Sequence, residues 1–203
     1  MADDSPQRRL DVLAADVFAA AGWVGATPAV TVDGSLASYT RARCSTRPGR
    51  EHIRVHPRVL DEPPGVQRGT LAHEIAHLLD DRQSRGWPGA LVVTAVLWGA
   101  AFVAVVVALR EPDEDAMLLG IGLSWLIAAA AWRVWVGGQR RCELRADAGS
   151  VVIVGRDTVL ETLRHLHRET PAPFRAAAAI GLETHPSPAQ RIRHITAQST
   201  ATT

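Results

Sequence analysis

The chain contains no lysine: all 22 basic residues are arginine. That one-sided usage is read as genomic composition bias, not as a functional signal. Against 21 acidic residues it leaves a formal net charge of +1. No global field therefore draws in nucleic acid or an acidic substrate, and no nucleic-acid partner is expected. Cysteine is nearly absent. Cys44 and Cys142 stand too far apart for any metal-binding pair, and two free thiols in a reducing cytosol are the simplest expectation. The opening "MADDSPQRRLDVLAAD" has no apolar run behind a basic start. No signal peptide is expected, and the chain is expected to begin in the cytosol. There is no internal repeat and no low-complexity linker.

What is present is unevenly spread. A chain of 203 residues can build one domain with a real core, or a small domain plus membrane segments. Hydrophobic residues make up 47%, but two stretches concentrate them. Trp87 to Leu109, "WPGALVVTAVLWGAAFVAVVVAL", carries no charge and as a helix would span about 35 Å. Met117 to Val136, "MLLGIGLSWLIAAAAWRVWV", would span about 30 Å. Its one charge, Arg133, sits between Trp132 and Trp135, which fits an interfacial aromatic belt with a snorkelling arginine. Trp87 suits the same interface. Two such runs around the polar loop "REPDEDA" predict a transmembrane hairpin, with spans 87–109 and 117–136. Arg82 and Arg85 precede it, Arg140, Arg141 and Arg145 follow it, and the loop holds one arginine. The positive-inside rule then puts the loop outside and both polar parts in the cytosol.

The polar parts read as α+β, mostly helical. Ser5-Pro6 is an N-cap followed by proline at the first helical position, and Leu10, Leu13, Val17 and Phe18 recur at helical spacing over 6–21. "AVTVDG", "SYTRARCST" and "HIRVHP" read as short strands, and 28–57 is expected to form a small antiparallel sheet. "DEPPG" then breaks the chain. "TLAHEIAHLLDD", Thr70 to Asp81, is a helix with Leu71, Ile75, Leu78 and Leu79 on its apolar stripe and His73 and His77 one turn apart on another face. After the hairpin, "GQRRCELRADAGSVVIVG", "RDTVLETLRHLHRE" and "PSPAQRIRHITAQ" each read as helical. The second carries Val159, Leu163 and Leu166 on one stripe. "STATT" is a polar tail. The expected organisation is 1–86, N-terminal helix, small sheet and motif helix; 87–136, the hairpin; and 137–203, a C-terminal helical half.

His-Glu-x-x-His on a helix sets two imidazoles to share one zinc ion, with the glutamate beside them to take a proton from a metal-bound water. A catalytic zinc needs a third protein ligand. "CELRADAGS" offers Glu143, with Asp147 four residues on and on the same face. Glu143 could ligate the metal, and Asp147 could hydrogen-bond a ligand histidine. Taken alone, the pair among arginines reads as an ordinary solvated helix face. The predicted hairpin favours the metal, because it returns this helix to the membrane face of the first motif.

"HEIAH", then a hairpin, then "ELRADAG", then "THPSPAQRI" resemble, in that order, the HtpX-like family of membrane zinc metallopeptidases, relatives of the CAAX prenyl protease. The likeness covers roughly residues 52–196. It implies a zincin-like peptidase domain interrupted by the hairpin and one zinc per chain, held by His73, His77 and Glu143. By the same resemblance Glu74 is the general base and Asp147 supports the site. His185 and Arg191 fall where the family places groups near the substrate or the oxyanion. The chain departs from that family in having a polar helix and strands, not transmembrane segments, before the motif helix. His52 and His56 lie on the presumed edge strand and, with His165, His167 and His194, are assigned to structure. Such an edge suits an extended peptide substrate that adds as a strand. The function implied is a membrane-anchored zinc endopeptidase acting on protein or peptide substrates at the cytosolic face, with the lipid bilayer as its other partner. The alternatives are a membrane metalloprotease sensor with one partner substrate and a non-catalytic two-span protein with a structural metal site. The intact Glu74 argues against the last, since a structural zinc needs no base.

Overall fold

The computed structural model describes residues 5–37, 40–47, 49–83, 88–110, 114–179 and 183–198. Arg85, Trp87, residues 111–113 of the predicted loop and the polar tail lie outside them. The chain divides into two compact units, Met1–Gln83 with Cys142–Thr203, and Ser84–Arg141.

In the first unit, helix α1 (Pro6–Ala20) starts where its cap predicts. The Ser5 hydroxyl accepts from the Arg8 amide, and Pro6 occupies the first turn. Strands β1 (Ala29–Val32), β2 (Ala42–Ser45) and β3 (His52–Val55) fall inside the three predicted runs. Their pairing corrects the expectation of an antiparallel sheet. The order is β1-β3-β2, with β3 parallel to β1 and antiparallel to β2. β3 lies between β1 and β2, so these consecutive strands do not pair. β3, expected at an edge, is therefore central. His56 caps the 3-10 turn Pro57–Asp61, its Nδ1 accepting from the Arg58 amide at 3.2 Å.

Helix α2 (Pro64–Gln83) carries the motif. Its stripe packs as predicted: Leu71, Ile75 and Leu78 are buried against Leu10, Val17 and Phe18 of α1 and Ile53 of β3, with Leu79 partly buried beside them. Helix α4 (Glu114–Val154) runs without a break through the second predicted span and the predicted helix after it, so its last part, from Cys142, belongs to the first unit. Helices α5 (Arg156–Glu169), α6 (Ala172–Ala179) and α7 (Pro188–Gln198) complete this unit. Val159, Leu160, Leu163 and Ile195 form a second small core between α5 and α7. The sequence reading missed α6, an alanine-rich two-turn helix with no apolar periodicity long enough to register.

In the second unit, helix α3 (Pro88–Ala108) approaches the first turns of α4 at Gly120, where an added Cβ would lie 2.5 Å from the Ala108 Cβ. Both predicted spans are helical, but the expectation of two membrane-crossing helices is corrected to one. Among the described residues only the stretch Met117–Val154 is long and apolar enough, and the apolar part of α3, Ala95–Ala108, is shorter. Trp132 and Trp135 pack with ring centroids 5.0 Å apart.

Candidate active site

Two helices build the site. His73 and His77 are one turn apart on α2, and Glu143 and Asp147 one turn apart on α4. Small residues let the helices meet. Ala72, Ala76 and Ala146 are buried, and a Cβ at Gly149 would fall 2.9 Å from the Ala76 Cβ. Arg145 reaches across to Asp80 at 3.0 Å at the rim.

The donors converge. The Nε2 atoms of His73 and His77 are 3.2 Å apart, and each lies 3.3 Å from a Glu143 carboxylate oxygen. Ligands about 2.0–2.2 Å from a tetrahedral ion sit roughly 3.3 Å from one another. The trio therefore has both the spacing and the nitrogen–nitrogen–oxygen donor set that a divalent metal needs. Among the described residues it is the one group of three or more such side chains placed to hold an ion.

Peptidase family M48 matches residues 62–199. The chain belongs to that family. The matched range takes in the motif helix, the apolar helices and all of the C-terminal helices, and leaves α1 and the sheet outside it. Comparison with curated proteins and with solved structures returned no significant match. M48 members are metallopeptidases, so the chain is read as a metallopeptidase hydrolase whose substrates are proteins or peptides.

Around the trio stands a buried support. The Asp147 Oδ1 is 3.0 Å from His73 Nδ1. Arg191 of α7 donates from Nε to Asp147 Oδ2 at 2.7 Å and from a terminal nitrogen to Oδ1. That terminal nitrogen also lies 3.1 Å from His73 Nδ1. A guanidinium N–H and an Nδ1–H cannot both point at each other, so the Nδ1 proton goes to Asp147 and Nε2 is left to face the metal position.

Burial opposes charge on Asp147, but the Arg191 guanidinium outweighs it and holds the pKa at about 2. Burial likewise opposes charge on Glu143, yet hydrogen bonds from His73 and His77 keep it well below the usual carboxylate range. Burial and the Arg191 charge press His73 toward neutrality, but its bonds to Asp147 and Glu143 win and lift it to about 9. The site is thus a dense network of opposed charges.

Glu74 has a neighbour that the sequence did not suggest. Cys44, on β2, lies against its carboxylate, and burial first, then the Glu74 charge, push the thiol far above its ordinary range. No local motif links residues thirty apart. Only the packing of β2 on α2 brings them together. β2 is one outer strand of the sheet. The other, β1, has its edge occupied by Gln7 of α1, which donates to the Val30 carbonyl at 2.9 Å and accepts from the Val32 amide at 3.0 Å.

The two late residues separate. Arg191 is buried, with its donors turned to Asp147 and, at 3.9 Å, to Glu143. His185 stands in solvent, its Nε2 3.5 Å from Glu143 Oε1 and its Nδ1 3.1 Å from the Thr184 hydroxyl. His165 lies 3.9 Å from Glu62, away from this cluster.

Proposed function

We infer that the protein is a membrane-anchored zinc endopeptidase working at the cytosolic face. The observation that carries this is the convergence of His73, His77 and Glu143 at ligand spacing directly beside Glu74. Zinc, when held by those three residues, supplies Lewis acidity that acidifies water and polarises the scissile carbonyl. Glu74 takes the proton of the attacking water and passes it to the leaving amine. Asp147 fixes the His73 tautomer, and Arg191 holds Asp147 in place, so Arg191 is a positioning residue. His185, displaced toward the cleft mouth, donates to the developing oxyanion. The peptide lies extended along β2, the outer strand that Gln7 does not cover.

Anchoring rests on the second unit. Val96, Phe102, Leu119, Trp125 and Leu126 all face outward there, an apolar surface that suits acyl chains. In this reading α4 is the helix that crosses the bilayer, and α3 lies against its first turns at Gly120. Arg140 and Arg141 mark the cytosolic end, and the acidic loop lies outside.

Metal content and casein cleavage of the detergent-purified chain test the chemistry. Wild type is expected to hold about one zinc and to cleave. Glu74→Gln is expected to keep the metal and lose about 10²–10⁴-fold in turnover. Glu143→Ala is expected to lose the metal. A wild type that binds no zinc and cleaves nothing sinks the proposal. Retention in membranes through alkaline carbonate washing tests the anchor.

A further inference from the structure

Three arginines stand where β2 and β3 pair, and their partners differ. Arg54 of β3 donates to Asp33 Oδ2 at 3.0 Å. Arg41, just before β2, donates to Glu62 Oε2 at 3.0 Å. Arg43, inside β2, is exposed, and among the described residues no carboxylate pairs with it. It also lies directly opposite Arg54 in the β2–β3 register. Like charges so placed repel and weaken the pairing. Asp33 answers one of these two guanidiniums. The other stands on the outer strand.

The outer edge of β2 has a fixed pattern. The His56 amide donates to the Arg41 carbonyl at 2.8 Å, so the hydrogen-bonding groups at position 41 face β3. Antiparallel bonding alternates, which turns those of Arg43 toward β3 as well and those of Ala42 and Cys44 outward. A peptide that adds antiparallel bonds to Ala42 and Cys44. Its residue opposite Arg43 then forms a non-hydrogen-bonded pair, the kind whose Cα atoms approach to about 4.5 Å and whose side chains lie closer. In either direction of the peptide, that side chain shares the face of Arg43, away from Ala42 and Cys44, which pack toward the core. Cys44, the next residue along, lies against Glu74, so this pairing falls beside the general base.

We propose that Arg43 is a specificity-determining residue that pairs with an aspartate or glutamate of the substrate peptide, at the position opposite it on the outer edge of β2. The occupant of that edge is thus an extended peptide with an acidic side chain close to its scissile bond. This rests on the peptidase reading above and deepens it. The preference is local, because a net charge of +1 supplies no general attraction for acidic chains. A favourable cross-strand charge pair corresponds to a preference of about two- to fivefold for an acidic residue. It fades as salt rises, since the pair is exposed.

The test uses the full chain in detergent with zinc, acting on a pool of short synthetic peptides of randomised sequence. Mass spectrometry of the products gives the residue frequencies at each position around the cleaved bond. These are taken among cleaved peptides and do not depend on total turnover. Wild type is expected to enrich aspartate and glutamate about two- to fivefold at one position. Arg43→Gln should lose that enrichment. Arg43→Glu should replace it, at the same position, with enrichment of lysine and arginine. If wild type and Arg43→Glu cleave with the same frequencies, Arg43 only guards the outer edge against unwanted pairing, and the proposal falls while the peptidase stands. If wild type cleaves no peptide, the peptidase reading falls and takes the proposal with it.

Discussion

The two units use the same side chains in opposite ways. In the first, Leu10, Leu71, Ile75 and Leu163 are at most 2% exposed. In the second, Leu119 is 76%, Trp125 73% and Phe102 70% exposed. Apolar burial stabilises the first unit internally, at about 25 cal/mol per Å² removed from water. The second has little interior, and what it gains from its leucines and valines must come from whatever surrounds it. Every residue assigned to chemistry, from His73 to Arg191, lies in the first unit. The site and the apolar helices are therefore separable energetically although α4 contributes to both.

The largest expected difference follows directly. Leu71→Ala empties a fully buried position and should lower folding stability by about 2–5 kcal/mol. Leu119→Ala removes a similar side chain from a surface position on a helix and should leave the unfolding midpoint in detergent within experimental error. Thermal unfolding of both variants in the same micelles measures the contrast. Equal losses would break it, because Leu119 would then be packed inside protein.

Glycines on one helix sharpen the same contrast. Gly122 and Gly137 have nothing within 4 Å of an added Cβ, whereas at Gly149 the Ala76 Cβ is 2.9 Å away. In a helix interior Gly→Ala ordinarily stabilises by about 0.5–1 kcal/mol. Gly122→Ala and Gly137→Ala should therefore be neutral or slightly stabilising. Gly149→Ala meets a side chain that cannot swing aside and should pay about 1–3 kcal/mol of overpacking. The net loss is roughly 1 kcal/mol, and because α2 and α4 are pushed apart where they carry the ligands, metal retention should fall as well. A stabilised Gly149→Ala that keeps its metal would show that the helix crossing has slack.

Much of this was legible in the sequence for stated reasons. The Ser5-Pro6 cap, the Leu71–Ile75–Leu78 stripe and the one-turn spacings of His73/His77 and Glu143/Asp147 are local. A helix converts such spacing into a shared face whatever the rest of the chain does. Strand existence was legible too, but strand order was not, because period-two patterning says which face is buried and nothing about the neighbour. Hence β1 and β3 were not foreseen as parallel partners. The length of α4 was hidden by the change from apolar to charged composition near Gly137, which reads as a boundary although the backbone passes through it. The Arg191–Asp147 clamp and the Cys44–Glu74 contact are long-range. No spacing rule reaches from α7 to α4 or from β2 to α2.

The smallest expected effect concerns pH and separates the metal-free from the metal-loaded first unit. In the metal-free fold the His73 pKa rises from 6.5 to about 9. A group whose folded pKa lies above its unfolded value contributes its stabilisation in full below the unfolded pKa and loses it as pH rises through the folded one. The chelated protein should therefore lose stability as pH climbs from about 6.5 to about 9. Asp147, held at about 2, stays ionised throughout and does not blur the trend. With metal present the sign reverses over the same window. Ligand histidines must shed their protons to bind, so proton competition fades and the loaded protein gains. The gap between loaded and chelated midpoints should widen steadily with pH, read by calorimetry on paired samples. A chelated midpoint that stays flat or rises through this window would mean that His73 is not held by Asp147 and Glu143 in the metal-free protein, and that the ligand face is not preformed.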